Sequence, residues 1–239
     1  MLTKFFDVLE DNPHFIAINK PSGLLSIPDR MGVEDSLKNQ LQSHLGKVFV
    51  VHRLDKDTSG VIVFAKNAEA HRELSMLFES RDVVKYYVGL VYGSMEIPAG
   101  SVEVPIMENP AKRGTMLTHA KGKPSLTDYE LLESLKGFSW LKFRIHTGRT
   151  HQIRVHMQYI QHTIVCDELY GNPAPILLSS FKKKYKPSKY EEEKPMLSRL
   201  GLHSYELKFR FGEIDYHLEA PVSKDLRALL QQLRKVSGR

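Results

Sequence analysis

Cysteine is almost missing from this 239-residue chain. Cys166 is the only one, which excludes an intramolecular disulfide and a cysteine-rich zinc cage and fits a reducing cytoplasm. Long apolar runs are missing as well. None approaches the roughly 20 residues that a membrane helix needs, and the start, Met1-Leu2-Thr3-Lys4-Phe5-Phe6-Asp7, has no signal-peptide core, so a soluble, unanchored protein is expected. Three histidines, His52, His151 and His156, stand in interesting places, yet no His-Glu-x-x-His and no Cys-x-x-Cys accompanies them. No metal site is therefore expected. There is no internal repeat and no convincing linker, so residues 1–239 read as one domain.

What is present begins with charge. The formal net charge is +6 and the isoelectric point about 9.2, so a polyanionic partner such as nucleic acid is attracted at ordinary pH. A hydrophobic fraction of 41% is normal for a globular core.

Periodicity gives the elements. Phe5 to Asn19 reads as two short strands around an Asp11-Asn12-Pro13 turn. Leu37, Leu41 and Leu45 mark a helix over about 34–45. Ala70, Leu74 and Leu77-Phe78 mark a second over about 67–80, with Asn67 as its N-cap. Strands follow at Tyr86 to Tyr92, Trp140 to Ile145 and Leu207 to Phe211, and a helix runs from Ser223. Pro98-Ala99-Gly100 and Lys121-Gly122-Lys123-Pro124 read as turns. Ile153 to Ile160 fits a strand or a helix with Thr150 as N-cap. Residues about 179–198, including the run Lys182 to Lys194, are polar and charge-segregated and read as a surface insertion. Many strands with few helices predict an α+β fold.

The most informative stretch is His52-Arg53-Leu54-Asp55-Lys56-Asp57-Thr58-Ser59-Gly60, followed by Val61-Ile62-Val63-Phe64-Ala65. It sets charged and hydroxyl side chains on a tight loop feeding a buried strand, where a scaffold holds reactive groups. Other blocks accompany it in order: Ala17-Ile18-Asn19-Lys20-Pro21-Ser22-Gly23, then Lys85-Tyr86-Tyr87 with Leu90-Val91-Tyr92-Gly93, then Thr147-Gly148-Arg149-Thr150-His151-Gln152-Ile153-Arg154-Val155-His156, then Asp167-Glu168-Leu169-Tyr170-Gly171. Together they resemble the motifs of the RluA family of pseudouridine synthases, from the first motif to the C-terminal helix. The resemblance implies a single α+β catalytic domain on a mixed, largely antiparallel sheet flanked by helices and loops, with an RNA cleft across its middle. It also implies a helix after Thr150. The extra N-terminal RNA-binding domain of many relatives is expected to be absent, because the first motif lies so near Met1.

The implied reaction detaches uracil from its ribose, turns it and rejoins it through carbon 5, so the base must leave the stack for a closed pocket. By resemblance Asp55 is the essential carboxylate, acting by attack on the anomeric carbon or by proton abstraction from the sugar, and Arg154 is its partner. A guanidinium can keep a buried carboxylate ionised. Tyr87 is implied to stack on the uracil and to help remove the carbon 5 proton. Arg53 is implied to enter the space that the flipped base leaves, with His52 and Thr58 also at the substrate. Lys112, Arg113 and Lys123 sit in basic turns expected to meet phosphate. No metal or organic cofactor is expected, since the aspartate and the substrate's own sugar supply the chemistry. The expected partner is RNA, bound by a monomer. Large-subunit ribosomal RNA is favoured over transfer RNA, because the Gly122-Lys123-Pro124 region and the Leu-His-Ser-Tyr-Glu-Leu pattern at 202–207 look most like the ribosomal branch.

Blander readings stand beside these. Asp55 could be a turn-capping acid, Arg154 a surface arginine, Tyr87 a packing residue and Lys182 to Lys189 a solvated face. A glycosidase would need a second carboxylate facing the first across the substrate, and only Asp57 is nominated. It is a poor candidate beside Asp55 on one loop. A non-catalytic RNA-binding protein is the remaining rival, and the intact Asp55, Tyr87 and Arg154 argue against it.

Overall fold

In this computed structural model, residues 5–29, 35–183, 185 and 192–238 are described. In chain order they form β1 (Val8–Asp11), β2 (Phe15–Lys20), α1 (Leu37–Leu45), β3 (Phe49–Val50), β4 (Ser59–Ala65), α2 (Ala68–Ser80) and β5 (Val84–Tyr92). Then come β6 (Ala99–Glu103), β7 (Ile106–Glu108), β8 (Met116–Thr118), β9 (Leu126–Leu135) and β10 (Phe138–Ile145). The chain closes with α3 (Gln152–Tyr159), α4 (Leu178–Phe181), β11 (Leu202–Phe211), β12 (Ile214–Glu219) and α5 (Lys224–Val236). The chain divides into two compact units. One holds Met1–Tyr87 with His203–Pro221, the other Val88–Leu202 with Val222–Arg239.

In the first unit β4 is buried at all seven positions. It lies antiparallel to β2, with Phe15 opposite Ala65 and Lys20 opposite Gly60, and parallel to β11 at Ser59 and Gly60. A strand flanked on both edges and covered on both faces reads as an unbroken apolar run, which is why Val61 to Ala65 does not alternate. One face packs Phe15, Ala17, Val61 and Val63 with Ala70 and Leu74 of α2 and with Leu207, Phe209 and Leu218 of the β11–β12 hairpin. Each fully buried Val, Leu or Phe among them contributes about 1.5–3 kcal/mol. Helix α1 is capped by Ser36, whose side chain accepts the Asn39 N–H, and α2 by Asn67, whose side chain accepts the Ala70 N–H.

In the second unit β9 is paired along its length with β10, with a bulge at Trp140/Leu141, and with β6 on its other edge. Helix α5 buries Leu226, Leu229, Leu230 and Leu233, and its Arg234 grips Glu133 of β9 through two hydrogen bonds. In α3, Gln152 to Met157 are all buried, so the Ile153 segment is a helix that no solvent-facing stripe could have announced.

The α+β expectation holds: the sheet is mixed, antiparallel where β1 meets β2, β2 and β3 meet β4, β6 and β10 meet β9, and β11 meets β12, parallel where β4 meets β11, and flanked by helices. Two local readings are corrected. The expected turn at Pro98-Ala99-Gly100 is the entry to strand β6, where the Tyr129 hydroxyl lies 2.7 Å from the place a Cβ on Gly100 would take. The cap of α3 is His151, left-handed at φ 55°, and not Thr150. No side chain caps this end, and Gln152 instead ties the helix start to the preceding loop by accepting the Arg149 N–H and the Thr147 hydroxyl. Residue 34, the expected start of the first helix, and residues 184 and 186–191 of the expected insertion lie outside the described residues.

Candidate active site

The loop that carries Asp55 is fixed through its own carbonyl groups. The Leu54 carbonyl accepts the Ser26 hydroxyl at 2.8 Å. Asp55 accepts the Thr58 N–H at 3.2 Å. Lys56 accepts both the Lys20 ammonium and the Gly23 N–H at 2.9 Å, and Asp57 accepts the Ser22 hydroxyl at 2.6 Å. Four consecutive carbonyls are thus engaged, two of them by residues 20–23 of the Lys-Pro turn and a third by Ser26 just beyond it. Lys20 is fully buried and completes its donor set on the carbonyls of Pro21, at 2.9 Å, and Leu24, at 2.8 Å. Charge-assisted bonds of this kind are about twice as strong as neutral ones. They leave the loop a single shape, with Leu54 and Thr58 buried on either side of a half-buried Asp55.

Gly60 closes the turn. Its φ of +113° is one that side chains avoid, and a Cβ there would stand 2.0 Å from the Ser204 carbonyl oxygen. Only glycine lets β4 and β11 come together at this point.

Tyr87, buried on β5, is the residue brought to this loop. Burial raises its phenol pKa well above the ordinary value of 10, the Ser204 hydroxyl beside it acts the other way, and the charge of Asp55 adds to the rise. The hydroxyl is therefore protonated at any working pH and can act as a base only if something shifts it. As a ring and a hydrogen-bond donor it is ready without further change.

The other residues expected in this unit are placed differently. Arg53 is exposed. His52 stacks on Phe78 with ring centroids 4.3 Å apart and accepts the Val63 N–H at 3.0 Å. Burial, then the charge of Lys85, lowers its pKa to about 3, so it is a neutral packing residue. Thr58 is buried and shapes the turn. Lys85 is buried over the Phe78 ring, and burial with the neighbouring Arg81 charge lowers its pKa.

In the second unit Arg154 and Asp167 form a buried, bidentate ion pair: Nε donates to Oδ2 at 2.8 Å and Nη2 to Oδ1 at 2.7 Å. Asp167 also accepts the N–H groups of Leu169 and Tyr170. The Tyr170 ring lies 5.0 Å from the guanidinium carbon, and its hydroxyl bonds to His151 Nδ1 at 2.7 Å and accepts the Met116 N–H. The Thr147 to His156 motif is thus a scaffold that orients one arginine. His156 is fully buried between Thr127 and the Val104 carbonyl, and burial lowers its pKa. Lys112, Arg113 and Lys123 are exposed. Lys112 and Arg113 lie in the loop between β7 and β8, and the Lys123 backbone bridges to Ile106.

Among the described residues, one group has metal-ligating spacing, Glu206, His217 and Glu219 on the β11–β12 hairpin. Its buried carboxylate, Glu206, is already engaged by Lys208 and His217. His217 and Glu219 lie outside the motifs, and Glu206 belongs only to the 202–207 pattern.

The roles of Lys20, Ser26, Ser204 and Asp167 escaped the sequence reading. Lys20 and Asp167 stand inside motifs that were noticed, and the alternation of Phe15 to Lys20 offered a signal, because it leads a charged residue into a buried strand end.

The matches to known proteins place the chain among RNA-modifying isomerases. It belongs to the RNA pseudouridylate synthase family, whose model matches residues 14–159, a span containing Lys20, Asp55, Tyr87 and Arg154. It is 37% identical over 237 residues to the ribosomal large subunit pseudouridine synthase D of Buchnera aphidicola subsp. Acyrthosiphon pisum, covering 96% of this chain and 74% of that protein. The protein of the same description from Nitrosomonas europaea is 35% identical, with 96% of this chain and 65% of that one covered. Among solved structures, human RNA pseudouridylate synthase domain containing 4 superposes with a TM-score of 0.76 at 26% identity, covering 98% of this chain and 94% of that one. The chain is thus an RNA pseudouridine synthase, and no helix among its described residues is long and apolar enough to cross a membrane.

Proposed function

We propose that this enzyme isomerises uridine to pseudouridine in large-subunit ribosomal RNA, with Asp55 as the reacting carboxylate. The observation that carries the assignment is the loop itself. Four engaged carbonyls fix the turn that carries Asp55, and Tyr87 lies near enough to feel its charge.

In this reading uridine leaves the stack, and Asp55 acts on the ribose while the glycosidic bond to nitrogen breaks. Uracil turns and is rejoined through carbon 5, and the carbon 5 proton is then lost. Tyr87 supplies a face for the uracil. Because burial keeps its hydroxyl protonated, it serves as a donor until that final proton transfer. Arg154 belongs to the same chemistry by its motif, and Asp167 holds its guanidinium in one orientation. Arg53 is exposed beside the loop and suits the space left by the flipped base, since a guanidinium both stacks and pairs with phosphate. Lys112, Arg113 and Lys123 meet the phosphate backbone. Ribosomal RNA is favoured because the similar proteins from Buchnera and Nitrosomonas carry that substrate in their descriptions. A monomer acting in the cytoplasm completes the proposal, consistent with the single buried cysteine, and sedimentation with and without RNA tests the monomer.

The test is release of tritium from RNA labelled at carbon 5 of uridine, comparing wild type with Asp55→Asn on large-subunit ribosomal RNA and on transfer RNA taken from cells lacking the enzyme. Release from ribosomal RNA by the wild type alone is expected. Release from transfer RNA only would move the target, and wild-type release by Asp55→Asn would remove the aspartate from the mechanism.

A further inference from the structure

The pattern Leu202-His203-Ser204-Tyr205-Glu206-Leu207 stands far from the signature in sequence and ends up against it. His203 is fully buried. Its Nε2 bonds to the Ala220 carbonyl at 3.0 Å, and a carbonyl only accepts, so that nitrogen carries the proton. Its Nδ1 bonds to the Ser59 hydroxyl at 2.9 Å. Ser59 is the first residue of β4 and follows Thr58, whose N–H closes the Asp55 turn. One ring thus ties the exit of that turn to the end of the β12 hairpin.

Ser204, also fully buried, works from the next position. Its backbone pairs with Gly60 and its hydroxyl donates to the Val61 carbonyl at 3.2 Å. The same hydroxyl lies beside that of Tyr87. Adjacent side chains on one strand point to opposite sides. The dipeptide therefore reaches the Asp55 loop with one residue and Tyr87 with the other.

We propose that His203 and Ser204 are positioning residues that set the Asp55 turn and the Tyr87 hydroxyl at a fixed separation. The inference rests on the assignment of Asp55 and Tyr87 made above. Neither residue touches substrate in this account. Both act through the groups they hold, and a displacement of about 1 Å at a reacting group can cost on the order of 10²-fold in rate.

Three substitutions separate positioning from mere structure. His203→Gln keeps a donor for the Ala220 carbonyl and loses the acceptor for Ser59, whereas His203→Asn keeps the acceptor near Ser59 and loses the donor. Ser59→Ala removes one hydroxyl and little volume. Single-turnover tritium release and RNA affinity are measured on folded protein, with wild type and Asp55→Asn on the same RNA to check the underlying assignment. The expectation is a rate loss of about 10–10²-fold in His203→Gln and Ser59→Ala with RNA affinity within about twofold, and a smaller loss in His203→Asn. Wild-type rates in Ser59→Ala or His203→Gln would overturn the proposal. So would equal losses in the two His203 variants, or losses of rate matched by losses of RNA affinity. Wild-type release by Asp55→Asn would instead refute the assignment of Asp55 and overturn the positioning role with it, an outcome distinct from normal rates in the Ser59 and His203 variants alone.

Discussion

The ammonium of Lys20 donates to the carbonyl of Lys56, the residue that follows Asp55, at 2.9 Å. One motif thereby holds the backbone of another, and the charge that does it is entirely removed from water.

Lys20→Met should therefore harm both stability and rate. Three carbonyls lose a charged donor, of which Lys56 keeps the Gly23 N–H, and an acceptor left unsatisfied in a buried site costs about 1–3 kcal/mol. Urea unfolding is expected to show that loss, and tritium release a further fall in the fraction that stays folded. A variant of normal stability and rate would mean that the loop keeps its shape without the clamp.

Gly60→Ala is the smallest change expected to separate β4 from β11. Both the left-handed φ and the Ser204 carbonyl oppose a Cβ there. We expect destabilisation by more than about 2 kcal/mol, read from the thermal midpoint, with loss of turnover. Alanine would be tolerated only if the two strands could part without consequence.

Arg154→Met leaves Asp167 as a buried carboxylate with two N–H donors and no countercharge. Breaking one side of a buried pair costs about 3–5 kcal/mol. The double variant Arg154→Met, Asp167→Met is expected to recover part of that stability and none of the turnover. Recovery of turnover would limit Arg154 to a structural role.

His52 makes stability depend on acid. Its folded pKa of about 3 lies below the unfolded value of 6.5, so the unfolded chain takes up the proton first. The stabilisation is complete above pH 6.5 and is lost as pH falls toward 3, at up to about 1.4 kcal/mol per pH unit. His52→Gln keeps an acceptor for the Val63 N–H, and its stability should fall less steeply over that range in denaturant titrations. Parallel curves would assign the acid loss elsewhere.

RNA affinity should fall steeply with salt, because each neutralised phosphate contributes a slope of roughly −0.7 to −0.9 in log K against log salt. Replacing Lys112, Arg113 and Lys123 by alanine is expected to reduce that slope by about one per true contact. An unchanged slope would exclude those side chains from the interface.

Much of the candidate site was legible in the sequence because its residues are contiguous. The Asp55 loop announces itself by charge before an apolar run, and Tyr87 follows a recognisable lysine. The fold was legible where burial has a period, as in Trp140 to Ile145, and ambiguous in α3, whose residues are buried all round. What stayed hidden is tertiary. No local pattern says that Lys20 ends on the Lys56 carbonyl, that Asp167 takes the arginine, or that His52 is spent on Phe78. These partners are fixed by how loops, helices and strand ends pack against one another, a property of pairs of segments that no single segment displays.

The parallel contact between β4 and β11 joins Ser59 to a residue 144 positions later. During synthesis the whole Asp55 loop leaves the ribosome long before the strand that completes its support exists. A nascent chain truncated before residue 203 would carry the signature, the Lys20 clamp and Tyr87, yet lack His203 and Ser204. Activity should thus arrive late and all at once, when the last hairpin folds back. An unfinished enzyme would not modify RNA on the machine that is making it.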